Sequence, residues 1–108
     1  IWPKSLECQI QEGDVGDIWL IDSTTVRMTN GLRTQPKNFQ RIVKMRDAEK
    51  PNGDWNTVEV ISIDGHNRHI VNGVLVAESY EASEREGRIL IQSEGAEVFY
   101  RNIQIKEL

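Results

Sequence analysis

Glu7, Gln9, Asp17 and Trp19 are the residues of this chain whose types and spacing could do chemistry together. Side chains of a strand alternate between its two faces. In Ser5-Leu6-Glu7-Cys8-Gln9-Ile10-Gln11 the apolar Leu6, Cys8 and Ile10 share one face, and Glu7, Gln9 and Gln11 the other. In Asp17-Ile18-Trp19-Leu20-Ile21, Ile18 and Leu20 lie opposite Asp17 and Trp19. Side by side, two such strands offer two carboxylates, amides and an indole on one sheet surface. That set suits a ligand with many hydroxyls and an apolar flat side, which describes a sugar. Carboxylates and amides hold vicinal hydroxyls in fixed geometry, and an indole can stack on a ring face. A half-buried sheet always has a polar face, so a solvated Glu7 and a space-filling Trp19 stay open as alternatives.

Glu7 could serve as general acid or base, with Asp17 one strand away as a second carboxylate. Ordinary glycosidases hold two carboxylates about 5–9 Å apart. His69, in a strand that leads into Asn72-Gly73, carries an imidazole that titrates near neutrality and could act as acid, base or metal ligand. A half-buried hairpin histidine is the alternative. Gln92 and Glu94 are further candidates for hydroxyl recognition. His66 reads as a loop residue; with His69 and Glu7 it could hold a divalent metal, but no cofactor is required and the expected site contains no metal ligand. Glu12 to Asp17 is an acidic loop without the ligand spacing of a calcium loop. No phosphate-cradling glycine loop and no Ser/His/Asp arrangement of credible spacing is present.

The chain that positions these groups has 108 residues, enough for one small domain. Charged residues make up 28% and the apolar set 38%, the balance of a globular chain. Net charge is −4 and Lys and Arg are scattered, which argues against a nucleic-acid partner. No apolar run approaches the roughly 20 residues of a membrane helix. The one cysteine, Cys8, excludes an internal disulfide and reads as a small core residue. No signal peptide is visible, and the chain opens on Ile1-Trp2-Pro3 without an initiator Met, so we expect a piece of a longer protein.

Helical periodicity is scarce, and strands broken by turns dominate. The expected strands cover residues 4–11, 17–22, 24–29, 39–46, 55–63, 68–71, 74–77, 87–92 and 98–106, with a short helix as the alternative at 39–46. Asn72-Gly73 marks the clearest hairpin, because both residues tolerate the positive φ of a tight turn. This is an all-β pattern, an antiparallel sandwich or jelly roll. Its expected core is Leu6, Cys8, Ile10, Ile18, Leu20, Val58, Val60, Val74, Val76, Ile89, Ile91, Phe99, Ile103 and Ile105. Trp55, opening a strand, is expected in the core as well, and Asn72 is expected to serve turn geometry.

Four segments, in order, resemble one family: Trp55-Asn56-Thr57-Val58-Glu59-Val60, His69-Ile70-Val71-Asn72-Gly73-Val74-Leu75-Val76, Gly87 to Gly95, and Phe99-Tyr100-Arg101-Asn102-Ile103-Gln104-Ile105-Lys106. They are similar to the C-terminal half of the 3-keto-disaccharide hydrolases, and Lys4 to Ile10 with Gly16-Asp17-Ile18-Trp19 resembles that family's central strand pair. The resemblance implies a concanavalin-A-like jelly roll, a secreted or periplasmic bacterial setting, and action on glycosides oxidised at sugar C3. His69 matches the family's histidine ahead of the Asn-Gly turn. Such sandwiches run to about 200 residues, so a further segment or a partner copy would have to complete this one.

The expected function is therefore a carbohydrate-active domain, a hydrolase or lyase of 3-keto-glycosides. Glu7 and His69 would do the acid/base work, and Gln9, Asp17, Trp19, Gln92 and Glu94 would bind the sugar. A ketone at C3 acidifies the C2 proton, so a base can remove it and expel the anomeric substituent before water adds. A non-catalytic carbohydrate-binding module and a structural surface-assembly domain are the alternatives, since fold alone does not fix function. The enzyme reading requires Glu7 and His69 on one cupped surface.

Overall fold

A computed structural model describes residues 2–108. Its first sheet holds β1 (Ser5–Cys8), β2 (Ile18–Ile21) and β3 (Phe39–Ile42), antiparallel in that order. Its second holds β4 (Val58–Ile63), β5 (His66–Val71) and β6 (Val74–Ser79), also antiparallel in chain order. The all-β expectation holds, and residues 39–42 form a strand rather than a helix.

Turn chemistry builds the second sheet. Asp64-Gly65 and Asn72-Gly73 each place two consecutive residues at positive φ (46° and 82°, then 50° and 81°). Two-residue loops of this hand match the twist of the strands they join. Asn72 does more than turn. Its Oδ1 accepts from the Thr57 amide at 2.9 Å, and its Nδ2 donates to the Ala48 carbonyl at 2.7 Å. The side chain thereby ties the hairpin to the loop before β4.

The sheets meet through the apolar face of β1–β3. Ile18 and Leu20 are buried with Val71, Val76 and Ala77 of the second sheet, and Val15, Val26 and Ala82 from loops complete the cluster. Leu6, Ile42 and Val58 pack against it half-buried. Each fully buried Leu, Ile or Val contributes about 1.5–3 kcal/mol. Val60 and Val74 are exposed, against expectation. Pairing with His69 and Val71 puts both on the inner face, but β4 is an edge strand and Val74 sits at the hairpin end, so the core does not reach over them.

Residues 87–92 and 98–106 carry the alternation of strands yet join no ladder. Ile89, Ile91, Phe99, Ile103 and Ile105, expected in the core, are exposed instead. Alternation gives a segment two faces, but a strand also needs a neighbour to accept its backbone hydrogen bonds. Among the described residues neither sheet edge supplies one. Trp55, also expected in the core, is 46% exposed and lies under the Arg101 guanidinium, 4.1 Å from its ring centre.

Candidate functional site

The register of the first sheet sets three side chains in a row. Glu7 pairs with Trp19, and Trp19 pairs with Arg41. Leu6, Ile18, Leu20 and Ile42 turn toward the core, so alternation puts Glu7, Trp19 and Arg41 on the opposite face. Directly opposed residues on one face of a sheet are neighbours. The indole therefore lies between a carboxylate and a guanidinium.

Glu7 is half-buried, and its carboxyl is held above the usual range. Burial is the larger cause, and like-charge repulsion from Glu94 the second. A carboxylate of raised pKa is a stronger base. Cys8, next to it on the other face, has a thiol pushed up to about 12 by burial, then by Glu7 and Asp17. It is no nucleophile at neutral pH.

Arg41 is fixed from below. Asp17, fully buried, accepts from its Nε at 2.7 Å, and Asp14 accepts from its Nη2 at 2.9 Å. Asp17 Oδ1 also accepts from the Lys44 amide at 2.8 Å. Asp17 thus shares the polar side of β2 with Trp19 but is committed to protein partners. The acidic loop before it is held by Glu49, whose carboxylate takes the Gly13 amide at 3.0 Å and that of Val15 at 3.4 Å. This loop is a scaffold for Asp17.

The next row of the same face is Ser5, Ile21 and Phe39. Ile21 and Phe39, with Trp2, Asp22 and Asn38, line an open hollow of about 400 Å³. Glu7 and Trp19, both expected at the site, are brought together in the row beside this hollow, with Glu94 near Glu7. Gln9 is turned inward on its own loop, its Oε1 accepting from the Ile10 and Gln11 amides at 3.0 and 3.3 Å. Gln92 is exposed, and its carbonyl accepts from the Tyr100 hydroxyl at 2.7 Å.

The structure does not bring His69 to this face. His69 is fully buried, and its Nδ1 donates to the Gly16 carbonyl at 2.8 Å. That bond fixes the tautomer and leaves Nε2 as an acceptor with no partner among the described residues. Burial pulls its pKa below 6.5, against the Gly16 carbonyl and the Asp17 charge. Asn67, His69 and Val71 alternate inward along β5 while Arg68 is exposed, and three-residue spacing sends His66 outward. There His66 meets Glu78 at 2.6 Å and stacks on Tyr80. His66, His69 and Glu7 do not assemble, and no cluster of three or more His, Cys, Asp or Glu able to hold a metal occurs among the described residues.

Arg41 escaped the sequence reading. Its signal was present in Phe39-Gln40-Arg41-Ile42, where Arg41 alternates against Ile42, but only the pairing to β2 sets it beside Trp19.

A family model described as "3-keto-alpha-glucoside-1,2-lyase-like domain" matches residues 1–106. The chain belongs to this family. No curated protein and no solved structure matches it. The 3-keto-glucoside lyase-like domain thus carries a carboxylate, an indole and a guanidinium in one row of its first sheet.

Proposed function

We propose that this domain cleaves 3-keto-glucosides by elimination, with Glu7 as the base. The ketone at C3 makes the C2 proton acidic. Glu7 takes that proton while the sugar lies over Trp19. The electrons of the C2–H bond form an enolate with the C3 carbonyl, and its collapse expels the oxygen at C1. The same carboxyl, now protonated, can return its proton to that leaving oxygen. Water addition at C1 then completes net hydrolysis. This route needs one well-placed carboxyl rather than a pair, and it dispenses with an imidazole on the sheet face. His69 acts indirectly, as a positioning residue that holds Gly16 and hence the start of β2.

The observation that carries the proposal is Glu7 directly opposite Trp19, with its carboxyl raised by burial. The test is turnover of a 3-keto-α-glucoside by the wild type and by Glu7→Gln, followed as formation of the conjugated enone and as solvent deuterium entering C2. Loss of a positioned base costs about 10²–10⁴ in rate, and we expect a drop of that size with sugar still bound. Equal rates in the two proteins refute it. The Trp19 indole also supports a second reading, a sugar-binding module. In that case Trp19→Ala abolishes affinity and no protein form turns substrate over.

A further inference from the structure

We propose that Arg41 binds the oxyanion that forms at sugar C3 when the C2 proton leaves. This rests on the elimination reading above. In that step the C2–H bond breaks and Glu7 keeps the proton. The freed pair makes the C2–C3 double bond, and the carbonyl pair moves onto the C3 oxygen. In the next step that pair returns, C1 and C2 become double-bonded, and the C1–O bond breaks with its pair on the departing oxygen. Negative charge therefore sits on the C3 oxygen only between the two steps, and a donor fixed beside it lowers the barrier.

Arg41 has the position for this. It lies one strand beyond Trp19, as Glu7 lies one strand before it. The Cα atoms of Glu7 and Arg41 are two strand spacings apart, about 10 Å, a gap that a hexose ring over the indole bridges. It also has the rigidity. Asp17 and Asp14 take the Nε and Nη2 edges, so the plane of the guanidinium is set before substrate arrives. The Nη1 edge has no hydrogen-bond partner among the described residues. With two aspartates sharing its charge, Arg41 offers oriented donors rather than a bare cation. Lys44, the other cation at Asp17, is almost wholly buried against Asp17, Asp47 and the Gly13 carbonyl.

The experiment compares wild type with Arg41→Lys, which keeps a cation beside buried Asp17, and with Arg41→Gln. Two readouts are taken on folded protein: kcat and KM on a 3-keto-α-glucoside, and NMR shifts of the Trp19 indole on titration with L-ascorbate, a planar enolate of sugar size. Removing one oxyanion donor costs about 10²–10³ in kcat. We expect that loss in Arg41→Lys with KM little changed, and loss of the ascorbate shifts in Arg41→Gln. A merely structural Arg41 would move neither the kcat-to-KM split nor the ascorbate response of a folded Arg41→Lys protein. Unchanged kcat and unchanged shifts in both variants overturn the proposal while wild-type turnover keeps the elimination reading. Arg41-dependent ascorbate shifts without any turnover leave the anion site standing and remove the lyase. Neither turnover nor shifts removes both.

Discussion

Glu7 shows how little of a side chain's chemistry resides in the side chain. Its carboxyl is raised by partial burial and by Glu94. A general base works only when deprotonated, so the acid limb of kcat/KM should lie above the ordinary glutamate value of 4.5. Removing the neighbouring charge with Glu94→Gln should shift that limb to lower pH. A pH–rate profile of both proteins checks this, and a limb that stays put shows that Glu7 is not the titrating group. Cys8 gives a second expectation. With its thiol pushed up to about 12, native protein should react with iodoacetamide at neutral pH far more slowly than denatured protein. Alkylation followed by mass spectrometry reads the difference.

At the scale of elements, Gly16 and His69 join the acidic loop to the second sheet. Gly16 has φ +104°, and a Cβ there would run into Val76 Cγ2. Strained backbone costs about 1–3 kcal/mol and overpacking a similar amount. Gly16→Ala should therefore lower stability by at least about 2 kcal/mol and displace Asp17 and Arg41 with the loop. Urea unfolding measures the first effect. His69 makes stability depend on pH with a definite sign. Its native pKa is lowered from 6.5, so the unfolded chain takes up the proton first. Its contribution is complete above about 6.5 and is lost as pH falls below that value, by at most about 1.4 kcal/mol per pH unit. The wild type should lose more stability than His69→Gln as pH falls from 7 through 6.5 toward the lower native pKa. Parallel curves would mean that His69 is not protonated on unfolding.

For the whole molecule, the decisive feature is the run from Gly87 to Lys106. Its apolar side chains face solvent, and its backbone joins no ladder. It meets the body where Arg101 lies over Trp55 and where Glu94 comes close to Glu7. Exposed apolar rows and open strand edges favour association. The 108-residue chain should therefore form species heavier than its 12.4 kDa in sedimentation at rising concentration. A monomer at every concentration, with this run readily cut by protease, would count against that expectation.

Alternation and turn residues decide a great deal by themselves. They determined the all-β class, the hairpin at Asn72-Gly73, and the split of Leu6, Ile18 and Leu20 from Glu7 and Trp19. These are local properties, because a strand's period and a turn's φ angles are set by adjacent residues. Which face of β5 is covered, and which strand-like segment finds a neighbour, are questions of tertiary pairing. His69 looked free in the sequence, and it is buried because the loop at Gly16 packs over it. Arg41 looked like one surface cation among many, and only the register of β3 on β2 puts it beside the indole. Residues 87–106 read as strands, and the tertiary structure withholds their ladder. A strand's faces follow from its own residues, but its partner is always another part of the fold.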